Sequence, residues 1–493
     1  MAKTMKLRRL AASAVLAAVL AGCAVGPDYQ RPEIELPATW RVDYPQASEL
    51  TNLRWWQQFG DPVLDELIET ALRENYDIRI AAERVEQYLG QLSTTRSQFF
   101  PQIGYGMSVS RNRSSEVNVT PLPAGTDPWY KLYQGTVSAD WQIDLFGRVR
   151  RQSEAAQARV YASEQGRRGT LLTVVSGVAS GYINLRSLDR KLEIARATAG
   201  NYAESLRIFR LRFAGGVVSQ MEVSQVESQY QQAMVAIPLI EQQVAAQENL
   251  LSVLLGRQPG PIPRGRGVAD LAPPVVPPGL PSSLIERRPD VLQAEQNLVA
   301  ANANIGAARA LYFPSFSLTG MFGSLSAAAT NFMTAPASVA AIAAGFAGPI
   351  FTFGNIEGQV RSAEAGEREA LASYQLAILN ALRDTNDALI GSRKTADAYD
   401  AQLARVVALR EYARLSRLRY ENGAANYTDV LYAENELFSA ELNAAAAAAD
   451  RLVQTVALYR ALGGGWVDEA DVLAAPKPPA SPVDASASPA PPS

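Results

Sequence analysis

Histidine is absent from these 493 residues, and cysteine occurs once. Without histidine there is no imidazole-ligated metal site and no Ser-His-Asp or Cys-His nucleophile system. A single cysteine excludes an internal disulfide. Charge of one sign is also missing: 46 basic residues face 49 acidic ones, a formal net charge of −3, so nucleic acid is not expected as a partner. Long apolar runs are missing too. A membrane-spanning helix needs ~20 such residues, and the nearest stretch, 335–353, is interrupted by Pro336, Gly345, Gly348 and Pro349. No catalytic constellation stands in place of the missing groups, and an enzyme is not expected. If the mature chain crosses a membrane, it does so with strands.

What is present begins with an address. Lys3, Lys6, Arg8 and Arg9 precede an apolar run from Leu10 to Ala21, and Leu20-Ala21-Gly22-Cys23 follows. A basic start, a short apolar core and small residues before a cut describe an export signal, residues 1–22. The order Leu-Ala-Gly-Cys resembles a bacterial lipobox, in which the cysteine becomes the acylated first residue. That resemblance implies a covalent lipid on Cys23 as the only added group. More than one acyl chain makes a stable anchor in lipid where one is marginal. Ala24 after it fits sorting to the outer membrane, again by resemblance. Removing residues 1–22 takes four positive charges and no acids, leaving a net charge near −7.

The rest is a duplication. Asn75-Tyr76-Asp77 through Phe100-Pro101 matches Arg288-Pro289-Asp290 through Phe313-Pro314, at an offset of 213 residues. Phe146-Gly147, Arg212-Phe213 and Leu255-Gly256 recur 207 residues later as Phe353-Gly354, Arg419-Tyr420 and Leu462-Gly463. The length difference therefore falls between the proline and the Phe-Gly pair, where strands are expected. Each copy (66–256 and 286–463) reads as helix, β-hairpin (101–146; 314–353), long helix (148–213; 355–420), Gly turn and return helix (219–255; 426–462). Leu171, Val178, Leu185, Leu192, Ala199, Leu206 and Phe213 recur every seven residues, as do Leu382, Leu389, Ala396 and Leu403. That is the spacing of coiled-coil packing. Pro238 is expected to kink its helix or loosen one turn. A helix of about 66 residues spans ~100 Å, and the two shorter helices of each copy sum to nearly the same length. Each copy thus supplies two columns.

The first hairpin alternates strictly. Ile103, Tyr105, Met107 and Val109 are separated by Gln102, Gly104, Gly106, Ser108 and Ser110. Val137, Ala139, Trp141, Ile143 and Leu145 are separated by Ser138, Asp140, Gln142 and Asp144. Apolar residues facing lipid and polar residues facing a lumen is the pattern of a transmembrane barrel strand. Asp140 and Asp144 would then line the lumen. The second hairpin repeats the pattern more weakly. Four strands cannot close around a pore, because even eight leave an interior that side chains fill. Three chains supply twelve strands and twelve helical columns, and at ~10 Å spacing the columns close into a ring roughly 38 Å across.

These residues resemble the TolC/OprM-type outer-membrane efflux proteins, in the lipoprotein branch known as the NodT family. The resemblance covers nearly all of residues 20–466. It is carried by Cys23 to Pro32, Trp55-Trp56 with Phe59 to Pro62, Asn249 to Gly256, Arg288-Pro289-Asp290 and Asn302 to Arg309. It implies an α+β membrane protein: a trimeric 12-stranded β-barrel continuing into a long periplasmic α-helical barrel. An equatorial belt would be formed by the lipid-anchored residues 23–65, the Pro/Gly-rich 257–285 and the start of 464–493. The end of that last segment holds seven prolines in 19 residues and is expected to be disordered. The implied function is a passive exit duct of a tripartite efflux system for small molecules. Its partners would be a periplasmic adaptor, an RND-type inner-membrane pump and outer-membrane lipid. A protein-secretion duct and a pore-free lipid-anchored scaffold remain alternatives, the latter disfavoured by the lipid-facing strands.

A duct needs a gate where the long helices turn back, at Gly215-Gly216 and Asn422-Gly423, which would also meet the adaptor. Glu222 and Asp429 follow those turns. They suit helix N-termini as capping acids; under threefold symmetry they also suit an acidic ring that admits cations. The family often carries Asp-Ala-Gln just after the second turn. This chain has Tyr432-Ala433-Glu434 instead, which shifts the acidic role to Asp429 with Tyr432 as an aromatic collar. Arg419-Tyr420 matches the family's Arg-Tyr pair, which implies contacts between neighbouring helices that hold the tip closed.

Overall fold

The computed structural model describes residues 24–32, 54–115, 123, 125–273 and 287–463. Cys23, the signal and residues 464–493 lie outside them. Among the described residues, seven α-helices and four strands follow one another twice through the same plan. The first copy holds α1 (Pro62–Glu74), α2 (Tyr76–Ser97), β1 (Gln102–Arg113), β2 (Trp129–Ile143), α3 (Arg148–Ala214) and α4 (Gln220–Leu254). The second holds α5 (Pro289–Arg309), β3 (Ser315–Ser326), β4 (Ser338–Ala347), α6 (Asn355–Glu421) and α7 (Tyr427–Ala461). Both long helices have 67 residues and both return helices 35, so the duplication is preserved in length. No described helix is long and apolar enough to cross a membrane.

The helix α1 is an addition to the expected plan. Its signal was local: Asp61 caps it by accepting the Val63 N–H at 2.9 Å, and Pro62 occupies the first turn, where its missing N–H costs nothing. In α4 the helix runs unbroken through Pro238.

The chain divides into two compact units, with α2, α3, α5 and α6 contributing to both. In the first unit the strands form one antiparallel sheet in the order β1-β2-β3-β4. Its register aligns like with like. Tyr105, Val137, Phe322 and Ala340 form one row across all four strands, and Ile103, Ala139, Gly320 and Ile342 form the next. Between them on the opposite face run Gly104, Ser138, Met321 and Ala341, then Gln102, Asp140, Thr319 and Ala343. The apolar face is open: Ile103 is 76% exposed, Tyr105 92% and Ile342 87%.

The core of the second unit gathers Trp55, Trp56 and Phe59 against α1 and the middle of α3, with Leu251 and residues of α7. Trp55 stacks on Tyr459 with ring centroids 5.3 Å apart. Leu171, Val178, Leu185, Ala199 and Leu206 of the seven-residue series are buried, whereas Phe213 is exposed. The series drifts off the packed face there because an α-helix turns every 3.6 residues, and Phe209, one turn earlier, is buried instead. Ala445, Ala448 and Ala449 of the alanine run are buried, and the Ala445 carbonyl accepts the Ser187 hydroxyl at 2.8 Å. The two copies close alike. Asn75 Nδ2 donates to the Leu254 carbonyl at 2.8 Å, and Arg288 Nη1 donates to the Ala461 carbonyl, 207 residues on, at 2.9 Å.

Candidate functional site

Two places carry the expected functional residues: the helix turns of the second unit and the sheet of the first. Both turns have the same backbone. In the first, Gly216 (φ +72°) lets its N–H reach the Phe213 carbonyl and the Val217 N–H reach that of Arg212. In the second, Gly423 (φ +70°) bonds to Tyr420 and Ala424 to Arg419. Such left-handed closures satisfy the last free carbonyls of a helix and reverse the chain at little steric cost to glycine. Around Gly216 and Gly423 there is open space, and Gly215 and Asn422 complete the turns.

Beyond the turns the copies diverge. Ser219 and Glu222 make a reciprocal capping box: the Glu222 carboxylate accepts the Ser219 N–H at 2.7 Å, and the Ser219 hydroxyl accepts the Glu222 N–H at 3.3 Å. Asn426 makes no side-chain cap, and only its carbonyl accepts the Asp429 N–H, at 3.2 Å. Asp429 is thus exposed with its carboxylate uncommitted, while Glu222 already has a structural task. Tyr432 is exposed as well.

Arg419 and Tyr420 behave differently from one another. Arg419 donates to the Ala424 carbonyl of its own turn at 3.3 Å. Tyr420 reaches another helix: its hydroxyl accepts from Arg212 of α3 at 3.1 Å, and its ring packs on Phe209 and Tyr427. Arg212 is the counterpart of Arg419 in the first copy. The cross-helix contact therefore uses one member of each copy, and the duplication alone gave no reason to pair them.

A second pairing is repeated in full. Arg210 binds Glu227 at 3.1 Å, and Arg417 binds Glu434, each 207 residues further on. Their surroundings differ. Glu227 is 42% exposed, whereas Glu434 is 16% exposed. Burial raises the Glu434 carboxyl above its ordinary range against the pull of Arg417. Tyr427 is pushed up to about 12, first by burial and then by the Glu434 charge. Between α3, α6 and α7 lies a cleft of about 460 Å³ lined by Tyr202, Arg417, Glu421, Glu434, Phe438 and Glu441 among others.

In the sheet, Asp140 is exposed on the polar face between Gln102 and Thr319. Asp144 is not on that face. The strand β2 ends at Ile143, and the Asp144 carboxylate accepts the Arg150 N–H at 2.8 Å. Free N–H groups of the first turn of α3 draw it there.

Sequence reasoning passed over a fully buried polar contact of the second unit. Asp61 is fully buried, and beyond capping α1 it accepts the Tyr182 hydroxyl at 2.8 Å and the Arg266 N–H at 2.9 Å. The Tyr182 hydroxyl in turn accepts the Gly265 N–H at 2.8 Å. Residues 54–61 and the linker residues Gly265 and Arg266 are thereby fastened to the middle of α3. The Asp-Pro pair marked the cap, but nothing local pointed to Tyr182.

Comparisons with known proteins follow this plan. A model of the outer membrane efflux protein family matches residues 67–257 and 280–464. The probable efflux pump outer membrane protein TtgC of Pseudomonas putida is 34% identical over 477 residues, covering 94% of this chain and 96% of that protein. The probable outer membrane lipoprotein SilC of Salmonella typhimurium is 30% identical over 470 residues, covering 94% of this chain and 100% of its own length. The solved open state of the Neisseria gonorrhoeae MtrE outer membrane channel is 30% identical, covers 90% of this chain and 99% of its own, and superposes with a TM-score of 0.81. The chain belongs to the outer membrane efflux protein family.

Proposed function

We propose that this chain is the passive outer-membrane exit duct of a tripartite efflux system. Three copies close their sheets into a 12-stranded barrel and their helices into a periplasmic tube. An inner-membrane pump of the RND type drives export through a periplasmic adaptor, which meets the turns at Gly215-Gly216 and Asn422-Gly423. The chain itself catalyses nothing, and its one added group is lipid on Cys23. The cargo class is small molecules such as drugs or other toxic compounds, in keeping with a relative from Pseudomonas putida named a toluene efflux pump outer membrane protein.

The observation that carries this reading is the sheet. Its four strands place apolar side chains in register on one exposed face and mostly polar or small ones on the other. An open sheet of four strands leaves two edges unpaired, which lipid does not tolerate. Closure with further copies removes those edges and turns the Asp140 face inward. Asp429, exposed and uncommitted, is the acid best suited to a gate ring, with Tyr432 beside it. Glu222 serves first as a cap.

Single-channel conductance of the purified acylated protein in planar bilayers tests the duct. A cation-selective pore is expected from a trimer. A verified trimer without conductance under any condition would overturn the reading in favour of a scaffold.

A further inference from the structure

Residues 24–31 do not hang from the first unit; they are bolted along it. The Val25 N–H donates to the Phe146 carbonyl at 3.3 Å. Gly26 (φ +110°) lies so close to Gly306 that a Cβ there would sit 2.4 Å from the Gly306 Cα, so backbone meets backbone. The Pro27 carbonyl accepts from Asn302 at 3.1 Å. Asp28 binds Arg151 at 2.6 Å, and that guanidinium, 6% exposed, also binds Glu154 at 2.8 Å. Tyr29 donates to Glu295 at 3.3 Å, and Arg31 pairs with the same carboxylate at 3.1 Å. The contacts step down α5 from Gly306 through Asn302 to Glu295, a rise of about 16 Å.

The upper end of this strap coincides with one end of the sheet. All four strands join their helices at that end: β1 after α2, β2 before α3, β3 after α5 and β4 before α6. Exposed aromatic side chains gather there, Phe100, Tyr312, Phe313, Phe351 and Phe353. Phe146, which receives the Val25 N–H, stacks on Phe313 with ring centroids 4.8 Å apart. Aromatic girdles mark the lipid–water boundary of barrel proteins. A loose tether needs neither a glycine-to-glycine contact nor a buried guanidinium.

We propose that residues 24–31 are a rigid strap that delivers the acyl chains at the level of this girdle, so that anchor and sheet enter the bilayer as one body. Arg151 is the positioning residue that holds the strap down. The proposal rests on the reading of Cys23 as lipidated and of the sheet as membrane-inserted. Its physical content is effective concentration. Either tether makes insertion of the sheet intramolecular; a fixed anchor holds it at one level, whereas a flexible six-residue spacer spreads the anchor over roughly 13 Å and lowers its effective concentration there.

The test uses full-length protein transferred from detergent into phospholipid vesicles, with protection of the strands from protease as the readout. One variant carries six Gly/Ser residues inserted between Cys23 and Ala24, which leaves the strap and its contacts intact. The others are Arg151→Ala, Cys23→Ala on a non-lipoprotein export signal, and the two combined. The spacer variant, acylated and folded in detergent, is expected to insert on the order of tenfold more slowly than the parent, yet faster than Cys23→Ala. Arg151→Ala is expected to slow insertion of the acylated protein and to leave the Cys23→Ala background unchanged. Insertion of the spacer variant at the parent rate would overturn the strap. So would an equal loss from Arg151→Ala in both backgrounds, which marks a residue that only stabilises the fold. A mature protein whose mass carries no lipid, with Cys23→Ala inserting as the parent does, sinks the lipidation reading itself and is told apart by mass spectrometry.

Discussion

The Tyr182 hydroxyl donates to Asp61 Oδ2 at 2.8 Å, and both side chains are fully buried. Three separate segments meet at this bond, because Asp61 also receives the Val63 and Arg266 N–H groups. A buried acceptor with three donors is costly to remove, since each donor is left unsatisfied. Asp61→Ala is expected to destabilise the protein by about 3 kcal/mol or more, and Tyr182→Phe by about 1–2 kcal/mol. Denaturant midpoints of the detergent-solubilised protein check both. Equal small effects would show that the contact bears little of the fold.

The Arg212–Tyr420 bond joins the two long helices near their turns and is the clearest candidate for a closing contact. Arg212→Ala is expected to widen the resting pore and raise single-channel conductance. Tyr420→Phe removes the hydroxyl but keeps the ring on Phe209 and Tyr427, so a smaller rise is expected. Unchanged conductance in both variants would reduce the contact to local packing.

Glu222 and Asp429 separate by experiment. Glu222→Gln weakens the carboxylate half of the capping box and is expected to cost about 0.5–1 kcal/mol of stability. Asp429→Asn, exposed and without a cap to lose, is expected to leave stability unchanged and to lower cation selectivity. Reversal potentials across a KCl gradient measure the second effect. Selectivity that falls with Glu222→Gln but not with Asp429→Asn would exchange their roles.

Glu434 makes the tip pH-dependent in a defined direction. Burial raises its folded pKa above the ordinary 4.5. The ionised carboxylate is therefore less favourable in the folded chain than in the unfolded one, and the resulting loss of stability is full above the raised value. It disappears as pH falls through that value towards 4.5. Glu434→Gln is expected to be at least as thermostable as the parent at pH 7, with the difference narrowing as the pH is lowered to 5. Melting temperatures of parent and variant across this pH range decide it, and a difference that stays constant with pH would refute the effect of burial.

Much of this architecture is legible along the chain. Phe146-Gly147 and Phe353-Gly354 mark where both long helices begin, and the Gly turns mark where they end. Strand alternation from Ile103 to Val109 identified the open apolar face. Those signals are local: a helix or strand presents its period whatever it packs against. The exposed Phe213 and the position of Asp144 past the end of β2 escaped the same reasoning, because a period extrapolated to the end of an element ignores the helix-end backbone groups and the register drift found there.

The sequence by itself determined the duplication, the order of the repeated elements, the lengths of the long helices and the class of protein. Only the tertiary structure decided that Arg212 and not Arg419 meets Tyr420, and that Asp61 meets Tyr182 across 121 residues. It also separated two ion pairs that look alike in sequence, leaving Glu227 in solvent and enclosing Glu434. The reason is common to all three. Which partner a polar side chain finds, and how much water it keeps, depends on helices brought together from distant parts of the chain, and no local period records that.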